Sequence, residues 1–126
     1  MTQKPLYEQQ YQNWLDSTII DEASKAELRS ISGDKAEVED RFYQDLEFGT
    51  AGLRGKIGAG TNRMNEYIIA RATDALAKVI KSFGDEFAAK GVAIAYDCRL
   101  FSKEFSLTAA LVLASHGIKS YVFDAL

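Results

Sequence analysis

The chain has 126 residues, 47% of them hydrophobic and 26% charged, with one proline and a net charge of −3; this composition suits a globular domain and excludes a disordered or fibrous chain. Folding at this length buries roughly two-thirds of the unfolded surface, enough for one core without a structural metal. Cys98 is the only cysteine, which excludes a disulfide framework and suits a reducing compartment. The longest apolar runs, such as Val92–Tyr96, fall far short of the roughly 20 residues a bilayer crossing needs, and no apolar run follows Met1. The reading is a cytoplasmic protein with no membrane partner.

Charge divides the chain. Residues 1–47 hold 5 Lys/Arg and 11 Asp/Glu, net −6, and residues 48–126 hold 10 and 7, net +3. The expected organisation is therefore an acidic arm, 1–47, followed by a mildly basic body, 48–126. A dense Lys/Arg stripe with interleaved aromatics is missing, which argues against nucleic acid as a partner and leaves room for a local anionic ligand.

In chain order, Leu6, Tyr7, Tyr11, Trp14 and Leu15 lie on one 3.6-residue stripe and predict a first helix. Asp21-Glu22 opens a second toward Leu28, and Val38, Phe42 and Leu46 form a third stripe after Ser32-Gly33-Asp34. The next segment, Phe48 to Asn62, holds five of the nine glycines, at 49, 52, 55, 58 and 60. That density opposes a helix and lets the backbone approach something closely. Ile68, Ile69, Ala72, Ala75, Leu76, Val79, Ile80 and Phe83 then predict an amphipathic helix of four to five turns, with Asn65 as N-cap and Gly84 at its end. Val92–Tyr96 reads as a strand buried on both faces. Ser102 caps a helix carrying Phe105, Ala109, Val112 and Leu113, Gly117 ends it, and Ser120–Phe123 is a second strand. Strand, helix and strand at this spacing imply a parallel pair with a right-handed crossover, so the fold class is α/β, a helical arm followed by a mixed β-sheet with a βαβ crossover.

The glycine segment carries the strongest chemical signal. A Walker loop is excluded because Gly55-Lys56 would need glycine at Thr50 and a hydroxyl at Ile57, and the dinucleotide fingerprint fails at Arg63. Freed backbone N–H groups, the Thr50 hydroxyl and the cations Arg54, Lys56 and Arg63 form a phosphate cradle on one short segment; the same residues also suit a glycine-rich hairpin with solvated cations. Asp97-Cys98-Arg99 follows the first parallel strand at the edge where α/β sheets gather ligands, as substrate contacts or as a loop-fixing ion pair. Cys98 lacks a nearby base and reads as packed rather than nucleophilic. His116 reads as a structural helix-end residue, since its neighbour Ser115 points about 100° away and no second His, Cys pair or Asp cluster offers a metal site.

Phe48-Gly-Thr-Ala-Gly-Leu-Arg-Gly55 and Gly58-Ala-Gly-Thr-Asn-Arg-Met-Asn65 closely resemble the opening of the α-D-phosphohexomutases (phosphoglucomutase/phosphomannomutase). Ala95-Tyr-Asp-Cys-Arg99, Ser102-Lys-Glu-Phe105 and His116-Gly-Ile-Lys-Ser-Tyr-Val-Phe123 fit the same family in the same order, and the arm resembles its longer branch. The resemblance implies a four-domain α/β enzyme that moves a phosphoryl group between C1 and C6 of a hexose phosphate through a phosphoserine and a hexose 1,6-bisphosphate, with Mg²⁺ supporting transfer. It places Thr50 and Arg54 at the active-site cleft, with Arg54 beside the phosphoserine as the electrostatic contributor and Lys56 and Arg63 as further phosphate-binding residues. The family's Thr-x-Ser-His-Asn-Pro motif belongs after the strand at 120–123 and is absent before Leu126, as are the Asp-rich metal loop and the sugar and phosphate loops. Ala114-Ser115-His116 imitates the motif, but Gly117-Ile118 stand where Asn-Pro is required. The expectation is an incomplete domain 1, inactive as an isolated chain. The other readings are a free-standing sugar-phosphate-binding module and a structural fragment that self-associates as a homo-oligomer.

Overall fold

Two short acidic caps start the helices of the arm. In the computed structural model, which describes residues 5–49, 52–96 and 101–124, α1 spans Leu6–Asp16, α2 Glu22–Ser30 and α3 Lys35–Phe42. Asp21 accepts from the Ser24 N–H and Asp34 from the Glu37 N–H, each satisfying a donor that the first helical turn leaves open. The helices close around Phe42, which is 2% exposed. Tyr11 and Trp14 both meet its ring edge-on at 5.7 Å, contacts worth about 0.5–1.5 kcal/mol each beyond area burial. Leu28 and Val38 complete the core, and the Tyr11 hydroxyl donates to the Leu28 carbonyl at 2.7 Å.

The third helix stops at Phe42, so Leu46 is not on its stripe. Leu46 instead donates its N–H to the Thr61 carbonyl at 2.9 Å, which ties the segment after the helix to the glycine-rich stretch. Two short strands follow, β1 (Phe48–Gly49) and β2 (Gly52–Leu53), paired antiparallel. An isolated bridge joins Ile57 and Met64. Cα packing groups everything to Asn65 as one unit and Glu66–Leu126 as a second.

The second unit is α4 (Glu66–Ser82), α5 (Asp85–Ala88), β3 (Val92–Tyr96), α6 (Ser102–Ser115) and β4 (Ser120–Asp124). β3 and β4 pair in parallel from Val92↔Ser120 to Tyr96↔Asp124, with α6 as the crossover. The α/β class therefore holds, with antiparallel and parallel pairings in separate two-stranded sheets among the described residues. Ala77, Leu113 and Ile118 form the core, with Ile80, Val92 and Ile94 packed against it. The end of α6 feeds this core directly. The Gly117 N–H bonds to the Ala114 carbonyl and the Ile118 N–H to the Leu113 carbonyl, both at 2.9 Å, with Gly117 at φ 74°. This Schellman turn brings Ile118 back onto Leu113.

Three further details differ from the sequence reading. Ser102 is the first residue of α6 rather than its cap; the cap is Phe101, at a left-handed φ of 64°. β3 is covered on one face only, since Val92 and Ile94 are half-buried while Ala93 and Ala95 are exposed. α4 buries Ile68, Thr73 and Ala77 and leaves Leu76 and Val79 47–52% exposed, with Phe83 just past its end 68% exposed. Small side chains at 73 and 77 allow the close approach of helices, and the Thr73 hydroxyl is absorbed by the Ile69 carbonyl at 2.7 Å. Among the described residues no helix is long and apolar enough to cross a membrane.

Leu113→Ala is expected to cost about 2–5 kcal/mol and Gly117→Ala about 1–2 kcal/mol, the first by leaving a cavity and the second by forcing a Cβ into left-handed backbone. Urea unfolding of the chain measures both.

Candidate functional site

The glycine-rich segment is anchored at its far end. Glu27 on α2 and Arg41 and Asp40 on α3 face the stretch 58–63, and each makes a polar bond to it. The Ala59 N–H donates to Glu27 Oε2 at 2.7 Å, Arg41 Nη1 donates to the Ala59 carbonyl at 3.1 Å, and the same Nη1 lies 2.5 Å from Glu27 Oε2. Arg41 Nε is held by Glu37 Oε1 at 2.9 Å. Arg63 Nη2 reaches Asp40 Oδ2 at 2.5 Å and Glu37 Oε1 at 3.5 Å. The network alternates in sign, so each cation separates two carboxylates that would otherwise repel.

Glycine makes this approach possible. A Cβ on Gly60, which sits at φ 130°, would lie 2.8 Å from the Arg41 carbonyl oxygen. Further bonds complete the anchor: the Asn62 N–H to the Arg41 carbonyl at 2.8 Å, the Thr61 hydroxyl to the Gln44 carbonyl at 2.9 Å, and the Asn65 amide to the carbonyls of Gly58 and Gly60, both at 2.9 Å. Among the described residues no buried side-chain nitrogen or oxygen lacks a partner.

The electrostatics follow from these contacts. Burial raises the Glu27 carboxyl, but the Ala59 N–H, the Arg41 hydrogen bond and the charges of Arg41 and Arg63 outweigh it, leaving the group below its ordinary value. Asp40 is lowered chiefly by its hydrogen bond from Arg63. Burial lowers Arg41, and its bonds to Glu27 and Glu37 more than restore it.

The expected site residues separate on this frame. Arg54 and Lys56 are exposed, on the stretch between β2 and the anchored end, and among the described residues neither forms an ion pair. The Lys56 backbone is fixed, its carbonyl accepting from the Met64 N–H at 2.7 Å. Arg63 is different: its side chain is 5% exposed and bonded to Asp40, so it holds the segment to α3 rather than facing solvent. The Ala59 N–H is likewise taken by Glu27, so the far half of the expected phosphate cradle is filled by the protein's own carboxylate. Thr50, Asp97, Cys98 and Arg99 lie outside the described residues.

His116 has a partner that local spacing did not reveal. Its Nε2 lies 2.6 Å from Asp74 Oδ1, and Asp74 Oδ2 pairs with Lys78 at 2.9 Å. Asp74 is 42 residues away in sequence, on α4. It is lowered by the Lys78 hydrogen bond first and the His116 bond second. The Ser115 hydroxyl donates to the Val112 carbonyl at 2.6 Å, so Ser115 and His116 each have a partner elsewhere rather than each other. Among the described residues no group of three or more His, Cys, Asp or Glu is placed to hold a metal ion.

The parallel β3-α6-β4 unit makes the second unit an α/β structure, and comparison with known proteins narrows the class. Residues 45–126 match the family model described as phosphoglucomutase/phosphomannomutase, alpha/beta/alpha domain I, and the chain belongs to that family. It is 35% identical over 112 residues to a phosphoglucomutase of Staphylococcus epidermidis, covering 89% of this chain and 19% of that protein. It is 32% identical over 121 residues to the human phosphopentomutase, covering 91% of this chain and 19% of that protein. A phosphoglucomutase of Staphylococcus haemolyticus is 40% identical over 86 residues, 68% of this chain and 15% of that one. The chain thus spans about a fifth of the length of these relatives or less. No solved structure matches it.

Glu27 and Asp40 both ionise more readily folded than unfolded. Their stabilisation is therefore complete above the ordinary carboxylate range, about pH 4–5, and is lost as pH falls through the lowered folded values. The protection of the Ala59 and Asn62 amides, relative to their intrinsic exchange rates at each pH, is expected to fall below about pH 4, with Asp40→Asn flattening the dependence at Asn62.

Proposed function

We propose that the chain is part of domain I of a sugar-phosphate mutase that moves a phosphoryl group between C1 and C6 of a hexose phosphate, through a phosphoserine and a hexose 1,6-bisphosphate. In this reading residues 1–47 are the arm and 48–126 the domain I segment, the protein is cytoplasmic, and its role is in carbohydrate metabolism. The observation that carries the proposal is the contrast along one segment: Arg63 is buried in an ion pair, while Arg54 and Lys56 are exposed and the Lys56 carbonyl is held by the Met64 N–H. Exposed cations beside a bonded stretch of backbone suit an anionic ligand, because less reorganisation is needed when charge arrives.

Arg54 is the electrostatic contributor, spreading positive charge toward the equatorial oxygens of a transferring phosphoryl group, whose charge the protein must stabilise without supplying much covalent chemistry. Thr50 and Lys56 are its companions in binding phosphate. The relatives named phosphoglucomutase and phosphopentomutase support a sugar-phosphate substrate. Mg²⁺ and the bisphosphate activator belong to the whole enzyme in this reading, and no step is assigned to the metal on these residues. The sequence holds no Thr-x-Ser-His-Asn-Pro, so the 126-residue chain is proposed to bind phosphate without turning it over.

Titration of the chain with glucose 1-phosphate, followed by amide NMR shifts around Arg54 and Lys56, is expected to saturate. Arg54→Ala should weaken binding about tenfold or more, as expected for a charged hydrogen bond worth about 1.5–3 kcal/mol. Incubation with glucose 1-phosphate, the bisphosphate and Mg²⁺ should yield no glucose 6-phosphate above blank.

A second reading, self-association of the chain, is favoured by the sheet face that bears exposed Ala93, Ala95, Tyr121 and Phe123. Sedimentation equilibrium is expected to show a concentration-dependent mass that Phe123→Lys reduces to the monomer. A monomer at all concentrations removes this reading.

A further inference from the structure

We propose that Glu27 and Arg41, both on the helical arm, are positioning residues for the phosphate-binding segment, gripping the Ala59 peptide from its N–H and its carbonyl side and thereby setting where Lys56 and Arg54 stand. The inference rests on the functional reading above and assigns to the arm a part in it.

Both polar groups of Ala59 are bonded to the arm, the N–H to Glu27 Oε2 at 2.7 Å and the carbonyl to Arg41 Nη1 at 3.1 Å. Glu27 and Arg41 are bonded to each other, and Glu37 holds the far side of the guanidinium at Nε. The grip is therefore a closed ring of donors and acceptors, which resists rotation of the peptide as well as its withdrawal. From Ala59 the constraint passes to Lys56 through two backbone bonds, the Gly58 N–H to the Met64 carbonyl at 3.2 Å and the Met64 N–H to the Lys56 carbonyl at 2.7 Å. Lys56 then stands two residues from Arg54.

The helices do not depend on this pair for their own start signals, because Asp21 and Asp34 cap α2 and α3. What the pair adds is a fixed attachment of the segment to the arm. Gly58 leaves room for it: a Cβ there would stand 3.1 Å from Glu27 Oε2 and 3.2 Å from Arg41 Nη1. A bidentate guanidinium is the side chain suited to this geometry, since a lysine cannot bond Glu37, Glu27 and a carbonyl in one plane.

The test uses the 126-residue chain with inorganic phosphate and glucose 1-phosphate as probes. Glu27→Ala is expected to speed amide exchange at Ala59 and Met64 at least tenfold and to weaken phosphate binding about threefold to tenfold, with helical circular dichroism and Trp14 emission unchanged. Glu27→Gln, which keeps an acceptor for the Ala59 N–H, should recover most of the affinity. If Glu27→Ala does not fold, Arg41→Lys is read in its place, with the same direction and a smaller effect. Unchanged exchange, or unchanged affinity in a folded variant, overturns the proposal even when Arg54→Ala weakens binding. If the unaltered chain shows no saturable response to either probe, or Arg54→Ala has no effect, the functional reading falls and takes the positioning role with it.

Discussion

The first unit depends on a chain of alternating charges, Glu27, Arg41, Glu37, Arg63 and Asp40, that binds a glycine-rich segment to two short helices. Its buried member, Arg63, is shielded from water, and an unpaired cation there would be costly. Asp40 must therefore stay beside it. Arg41 does the same for Glu27 and Glu37. Ion pairs of this kind often add little net stability compared with apolar replacements. What they define here is register: only one alignment of the segment puts Ala59 between Glu27 and Arg41, and Arg63 against Asp40.

That register has a chemical consequence. Three cations on one glycine run, Arg54, Lys56 and Arg63, look equivalent in a linear chain, yet the fold divides them into two kinds. Arg63 is spent on carboxylates of the arm, and Arg54 and Lys56 remain exposed. The chain belongs to the phosphoglucomutase/phosphomannomutase family, and within its glycine segment the division separates the cation the fold consumes from those it leaves open to solvent. The acidic arm, whose net charge is −6, supplies the carboxylates that Arg41 and Arg63 hold.

The second unit obeys a different constraint. Its core is small, built on Ala77, Leu113 and Ile118, and it closes because the turn at Gly117 folds Ile118 back onto the helix that precedes it. His116 and Asp74 add a polar tie between the same two helices. Apolar side chains outside this core, among them Leu76, Val79 and Phe123, stay exposed. The family's description as alpha/beta/alpha fits a unit in which helices pack on a parallel strand pair.

Local chemistry alone was enough for much of this. Asp21 and Asp34 as helix starts, Gly117 as a helix end, the alternation of strand, helix and strand, and the glycine segment as a distinct element all follow from short-range rules, because caps and turns involve residues a few positions apart. Periodicity placed α4, but not the side of its apolar stripe that would be covered. That depended on Leu113 of α6 arriving against Ala77. Spacing put Arg63 with Arg54 and Lys56 as a phosphate ligand, and glycine composition suggested an open cradle of N–H groups. Only the tertiary structure could assign Arg63 to Asp40, the Ala59 N–H to Glu27 and His116 to Asp74, since partners 23, 32 and 42 residues apart leave no local pattern, and charge pairing is decided by which surfaces the packing brings together.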